Sequence, residues 1–298
     1  MDKLDCLLNR NVSEVIPSKD EFRGRLLKDP VKIYFGIDPT GAEIHLGHAV
    51  ILWKLHEFQE LGHKVVLLVG DFTARIGDPT GKDETRRPLT EKEISENSKT
   101  YKRQVGKILD LKKTEFQQNS KWLNKIFLKD LINITSKISL QQLLHREMFQ
   151  KRIKSDKSVA LHEFIYPLLQ GYDSVAMNVD CEIGGTDQTF NMLIGRILMR
   201  KFLNKEKFII TVPLLEGIDG RKMSKSFNNY ISVLDSPQEM QEKVTRLKDD
   251  LIMKYFRLAT RVSNEKIVEF ESSLEKRELS FQEAKEILSE EIINLYHF

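Results

Sequence analysis

His45 and His48 stand three residues apart in the run Asp38-Pro39-Thr40-Gly41-Ala42-Glu43-Ile44-His45-Leu46-Gly47-His48. Residues at i and i+3 share a face of a helix, so a helix beginning near Gly47 would present both imidazoles at its start. The free N–H groups and positive dipole end there favour a phosphate. Gly47 leaves room for a flat base against the backbone. Two histidines at this spacing could also be a metal pair, although no third ligand is obvious nearby. Taken alone, the run reads equally well as a turn with two surface histidines.

A second run, Gly217-Ile218-Asp219-Gly220-Arg221-Lys222-Met223-Ser224-Lys225-Ser226, sets three cations in five positions among small residues. It suits a flexible electropositive flap over a triphosphate, or, alone, a solvated basic loop. A third group, Tyr166, Gln170 and Asp173, falls at i, i+4 and i+7, on one helical face. Its neighbours Ile165, Pro167, Leu168 and Leu169 are apolar. A polar stripe within such a segment needs hydrogen-bond partners, and a substrate can supply them; a polar outer face is the plainer alternative.

The elements that must position these residues follow from short apolar runs alternating with longer amphipathic stretches. Val31–Ile37, Lys64–Val69, Val179–Ile183 and Phe208–Val212 read as strands. Residues 47–61, 90–109, 162–177 and 188–202 read as helices. Strands alternating with helices predict an α/β fold, a Rossmann-like, doubly wound and mostly parallel sheet. Ligands in such sheets bind beyond the carboxyl ends of the strands. The Gly-rich and charged loops at 38–48, 70–86, 184–188 and 217–226 belong there. The pattern divides the chain into a catalytic domain at 1–226, with an inserted helical segment at about 120–160, and a smaller α-helical domain at 227–298.

Composition sets outer bounds. The chain has 298 residues, 40% apolar and 31% charged, enough for a substantial core. Its 47 basic and 44 acidic side chains leave a net charge of +3, far from that of a protein that coats nucleic acid. RNA contact must rest on local patches; Arg146, Lys151, Arg152, Lys154 and Lys157 form one candidate, or a solvated helical face. No apolar run approaches the roughly 18 residues of a membrane span, and the charged N-terminus lacks the apolar core of a signal peptide. Two cysteines cannot build a disulfide framework or a four-ligand zinc site. A cytoplasmic location, with no membrane association, is expected.

Taken together, His-Leu-Gly-His and the later Lys-Met-Ser-Lys-Ser match the paired signatures of class I aminoacyl-tRNA synthetases. Further runs are Tyr34-Phe35-Gly36-Ile37-Asp38-Pro39-Thr40, Arg75-Ile76-Gly77-Asp78-Pro79-Thr80-Gly81-Lys82, Tyr166-Pro167-Leu168-Leu169-Gln170-Gly171-Tyr172-Asp173 and Gly184-Gly185-Thr186-Asp187-Gln188. Over nearly its whole length the sequence resembles tyrosyl-tRNA synthetases of the bacterial type. The resemblance implies formation of tyrosyl-adenylate from L-tyrosine and ATP, with Mg²⁺ on the nucleotide and no metal site made of protein ligands, followed by transfer to tRNA(Tyr). It implies that Asp78, Tyr166 and Gln170 hold the substrate ammonium, and that Tyr34 and Asp173 meet the phenol hydroxyl. Thr40 and His45 would contact the γ-phosphate side and His48 the nucleotide, with Gly36, Asp38 and Gly47 beside them. Lys222 and Lys225 would close over pyrophosphate, joined by Lys82 and Arg86. Gly185, Asp187 and Gln188 would line the ribose and the reacting carboxylate; Asp187 could equally be a helix cap.

Tyr34 with Asp173 argues against a tryptophan-specific relative. The run Thr189-Phe190-Asn191 departs from the Trp-Gly-Asn of many bacterial members and points to a different branch. Family members also pair as homodimers through the segment from about Trp122 to Lys157, where Leu143, Leu144, Met148 and Phe149 would suit an interface or a core. Bacterial members usually continue beyond the position of Phe298 into a small RNA-binding domain of the S4 type. A chain ending here is expected to form the adenylate and to charge tRNA poorly.

Overall fold

The structure, a computed structural model, describes residues 2–80, 89–223 and 227–297. Its centre is a six-stranded sheet. The strands are β1 (Glu14–Ile16), β2 (Lys32–Ile37), β3 (Lys64–Val69), β4 (Thr114–Gln118), β5 (Cys181–Gly185) and β6 (Phe208–Val212), in spatial order β1-β6-β5-β2-β3-β4. All pairings are parallel except that of β1 with β6. The apolar run of β3 has both faces buried, as a covered parallel sheet requires. The doubly wound α/β expectation is met.

Strand parity assigns the two faces. Ile33, Phe35 and Ile37 join the core under the helix Leu46–Glu60, whereas Tyr34 packs with Val66, Leu68 and Met177 on the other side. The helices Leu161–Met177 and Thr189–Leu203 cover that second face. Chain order reverses between β2 and β5, since β3 and β4 lie on one side and β6 on the other. Only Ile33↔Cys181 and Tyr34↔Glu182 are paired between β2 and β5. Beyond them the strands part, opening the crevice in which a doubly wound sheet binds ligands.

Several elements differ from expectation. Strands β1 and β4 carry too few apolar residues to stand out, and β5 begins at Cys181 rather than Val179. The stretch read as one helix over 90–109 is two, Glu91–Ser98 and Tyr101–Val105. Its polar residues turn inward to brace the histidine loop. Asn97 donates to the Pro39 carbonyl at 2.8 Å and Tyr101 Oη to the Gly41 carbonyl at 2.6 Å. The buried Gln104 accepts from the Ile44 amide at 2.7 Å and donates to the Ala42 carbonyl at 2.8 Å.

After β6 the described residues form no further strand. Helices Pro237–Thr245, Ile252–Ala259, Asn264–Glu275 and Phe281–His297 follow. The first is capped by Ser236, with Pro237 in its first turn. Met240, Tyr255, Phe256 and Leu288 share one apolar cluster with Leu46 and Val50, so these helices pack on the sheet domain without a core apart from it.

The inserted segment holds the helices Leu128–Thr135, Leu140–Leu144 and Glu147–Lys154. Leu143 and Phe149 are buried within the chain, Leu144 and Met148 half-buried. The exposed apolar side chains are others: Phe127, Leu128, Ile132, Leu140, Ile153 and Leu161. Of the candidate basic patch, Lys151, Lys154 and Lys157 stay exposed, whereas the two arginines turn inward. Arg152 is buried in an ion pair with Glu163, Arg146 is buried against Thr80, and Lys151 pairs along its own helix with Glu147 at 2.7 Å. No helix among the described residues is long and apolar enough to cross a membrane.

Candidate active site

The stripe on the helix Leu161–Met177 faces the crevice, as its spacing predicts. Asp173 is buried and accepts from Trp122 Nε1 at 2.7 Å and from Asn119 Nδ2 at 3.2 Å. Burial pushes its carboxyl well above the usual range, and these two donors pull it partly back. Tyr34, also buried, has its hydroxyl 2.9 Å from Ser174 Oγ, one residue on from Asp173. Burial raises the Tyr34 phenol well above its ordinary pKa, and the charges of Glu182 and Asp173 add to the effect. The two residues expected to meet a phenol are therefore both buried under the helix Leu161–Met177, where a phenol slot is expected, although Tyr34 itself bonds Ser174.

A second polar group lies beyond the slot. Tyr166 Oη donates to Asp38 at 2.9 Å. Gln188 Nε2 donates to Asp78 at 2.8 Å, and Asp78 also accepts from the Thr80 amide and hydroxyl at 3.0 and 2.6 Å. Asn191 Nδ2 bridges Gln170 Oε1 at 2.9 Å and Gln188 Oε1 at 3.0 Å. Thr73 donates to Asp38 at 2.7 Å and accepts from Asn119 at 3.0 Å, so one network runs from Asp173 to Tyr166. Asp38, assigned by resemblance to the nucleotide, thus also supports the tyrosine-side residue Tyr166.

At the histidine run, the helix Leu46–Glu60 begins where the glycine and histidines predict. His45 and His48 stack with ring centroids 3.9 Å apart, and the His45 amide donates to His48 Nδ1 at 3.3 Å. A Cβ on Gly47 would lie 3.0 Å from the His45 ring and 3.4 Å from Met223 Sδ. The space at Gly47 is therefore filled by His45 and the flap methionine. The loop is clamped from the C-terminal side, where Leu46 donates to the Ile231 carbonyl and Val233 to that of Ile44, each at 3.0 Å. Thr40 and Gly36 are exposed at the mouth.

Gly185 ends β5, and a Cβ there would lie 2.7 Å from Asp187 Oδ1. Asp187 makes no side-chain cap for the next helix; it accepts from Lys222 Nζ at 2.7 Å. The described part of the flap, residues 217–223, is tied down by its own side chains. Arg221 is held by Asp219 and stacks over Phe227 at 4.2 Å, and Met223 is buried. Of the three flap cations, Arg221 is thereby committed to the loop itself. Lys82, Arg86 and Lys225 lie outside the described residues.

Comparison with known proteins places this geometry. The family model for tRNA synthetases class I (W and Y) matches residues 27–298. The chain belongs to that family. It is similar to the tyrosine–tRNA ligases of Carboxydothermus hydrogenoformans, 46% identical over 98% of this chain and 72% of the relative, and of Thermotoga maritima, 45% identical over 98% and 73%. Its backbone also resembles the tyrosyl-tRNA synthetase of Archaeoglobus fulgidus complexed with L-tyrosine, at a TM-score of 0.80 and 24% identity, covering 99% of this chain and 98% of that one. At that identity the likeness speaks for the fold alone.

The synthetase fold brings in residues that no sequence pattern marked for this site, among them Arg146, read from the sequence only as part of a basic patch. Trp122 and Asn119 reach Asp173 from the end of β4, a strand too polar to be seen. Ser174 is the unremarked neighbour of Asp173. Arg146 sits among Thr80, Phe190 and Phe149, with the charges of Asp78 and Asp187 acting on it. Asn, Ser and Arg are common on surfaces, and only the fold turns these three inward.

Proposed function

We propose that this chain is a tyrosine–tRNA ligase that joins L-tyrosine to ATP as tyrosyl-adenylate and then passes the tyrosyl group to the 3′ end of tRNA(Tyr). The observation that carries this reading is the burial of Tyr34 and Asp173 near one another where β2 and β5 part, which supports a slot for a phenol there. The substrate phenol enters that slot. Its ammonium lies toward Tyr166, Gln170 and Asp78, with Gln188 fixing Asp78.

The tyrosine carboxylate attacks the α-phosphorus and pyrophosphate leaves. A carboxylate is ionised at pH 7, so the step needs no general base. The protein contributes alignment and placed charge. His48, Gly36 and Asp38 line the nucleotide, Gly47 joins them once the His45 ring and Met223 move off it, and Thr40 and His45 lie toward the γ-phosphate. Asp187 receives the ribose, and Lys222 then leaves it for the departing pyrophosphate, together with Lys225, Lys82 and Arg86. Mg²⁺ arrives as part of the nucleotide, held by phosphate oxygens. The terminal ribose hydroxyl of tRNA takes the tyrosyl group in the second step, in the cytoplasm.

A homodimer is supported by the exposed Leu140, Ile153 and Leu161, which line one shallow apolar groove, since such surfaces mark interfaces. A smaller helical domain from about residue 227 is supported by the strands of the described residues all preceding it.

Isotope exchange between pyrophosphate and ATP tests the reading, with tyrosine, tryptophan and phenylalanine supplied in turn. Exchange should depend on tyrosine. Sites that bond a substrate hydroxyl reject the analogue lacking it by about 10⁴–10⁵, a range whose standard example is tyrosine activation itself. Exchange driven by tryptophan, or by none of the three, would overturn the assignment.

A further inference from the structure

Behind the slot lies an ion pair that the proposed reaction does not use. Lys207 immediately precedes β6 and is completely buried, as is its partner Glu182 on β5. Lys207 Nζ donates to the Glu182 carboxylate and, at 3.0 Å, to Ser174 Oγ. Glu182 also accepts from Gln170 Nε2 at 3.2 Å.

The helix pair above the sheet is shaped around this lysine. Gly171 and Gly195 face one another where the helices Leu161–Met177 and Thr189–Leu203 cross. A Cβ on Gly195 would lie 2.4 Å from Lys207 Nζ and 3.0 Å from Ser174 Oγ, and one on Gly171 would lie 2.9 Å from the Gly195 amide nitrogen. Stability does not account for such an arrangement. Desolvating two charges commonly cancels their attraction, and an apolar replacement often does as well.

Hydrogen-bond direction does account for it. An ammonium only donates, so Ser174 Oγ accepts from Lys207 and keeps its own proton to give. Tyr34 Oη at 2.9 Å is the nearer recipient, and Glu182, at 3.4 Å, is already supplied by Lys207 and Gln170. Tyr34 then accepts from Ser174 and keeps its own proton to give, to the Glu182 carboxylate that also acts on its hydroxyl or, in its place, to a bound phenol. Both oxygens of Asp173 already accept a hydrogen bond, the pattern of a carboxylate. The substrate phenol must therefore donate to Asp173 and accept from Tyr34.

We infer that Lys207 is a specificity-determining positioning residue, which through Ser174 orients the Tyr34 hydroxyl to donate to the phenol oxygen of bound tyrosine. The chain of donors runs from Lys207 through Ser174, Tyr34 and the phenol to Asp173. Glu182 keeps the lysine in place and holds Gln170 in the same setting. This inference rests on the proposed tyrosine activity.

The test compares Ser174→Ala and Lys207→Met with the unaltered protein in pyrophosphate exchange, using tyrosine and phenylalanine. In Ser174→Ala, kcat/KM for tyrosine should fall about 10- to 100-fold, the effect of one buried hydrogen bond to a reacting partner. The fall should lie in KM for tyrosine, while KM for ATP and kcat/KM for phenylalanine stay within about twofold. Lys207→Met should show the same selective loss. A merely structural defect would lower both amino acids alike. Equal losses, or an unchanged ratio in folded Ser174→Ala, overturn the inference, and Ser174→Ala decides alone should Lys207→Met not fold. Failure of the underlying activity would look different, as no tyrosine-dependent exchange in the unaltered protein.

Discussion

Lys222 Nζ lies 2.7 Å from Asp187 Oδ2, tying the flap to the loop that follows β5. The lysine side chain is 57% exposed and the aspartate 20%, so the pair contributes about 0–1 kcal/mol at most and can exchange readily for nucleotide. Lys222→Ala should leave the melting temperature and KM for tyrosine nearly unchanged. Adenylate formation, followed by stopped-flow fluorescence, should slow by about 10²–10³, the effect of removing one charge placed for the transition state. An unaltered rate would exclude Lys222 from the chemistry.

Trp122 bears on the pH profile. Its indole N–H favours the ionised form of Asp173, whose pKa burial has raised. Trp122→Phe removes that donor, so Asp173 will bind its proton at higher pH. Protonated Asp173 no longer offers the phenol an ionised acceptor. The acid limb of kcat/KM for tyrosine should therefore move to higher pH, with the plateau retained. A limb that stays put or moves down would show that Asp173 does not control it.

Arg152 and Glu163 form a buried, two-pronged pair, with Arg152 Nη1 2.6 Å from one carboxylate oxygen and Nη2 3.0 Å from the other. Arg152→Leu would leave Glu163 buried without its cation, at a cost of about 3–5 kcal/mol. Urea denaturation should show a lower midpoint. A loss below about 1 kcal/mol would place this arginine among exposed surface pairs.

The proposed homodimer depends on apolar residues left uncovered in the inserted segment. Ile153 and Leu161 line one shallow groove with Leu140. Ile153→Lys combined with Leu161→Lys should yield monomers by sedimentation velocity, with helix content by circular dichroism unchanged. Persistence of the dimer would move its interface elsewhere.

Read by itself, the sequence determined four of the six strands and their alternation with helices, the imidazole pair at a helix start and the shared helical face of Tyr166, Gln170 and Asp173. These features are local: periodicity and turn chemistry act over a few residues, and the side chains involved are near neighbours along the chain. The tertiary structure decided what met those residues from afar. It brought Trp122 and Asn119 from the edge of the sheet to Asp173, turned Gln104 inward to brace the histidine loop, and committed Arg152 and Arg221 to intramolecular partners. It also buried Lys207 behind Tyr34. Lysines and asparagines look alike on a surface and in a core, and only packing shows which of them have lost water and must find a partner within the protein.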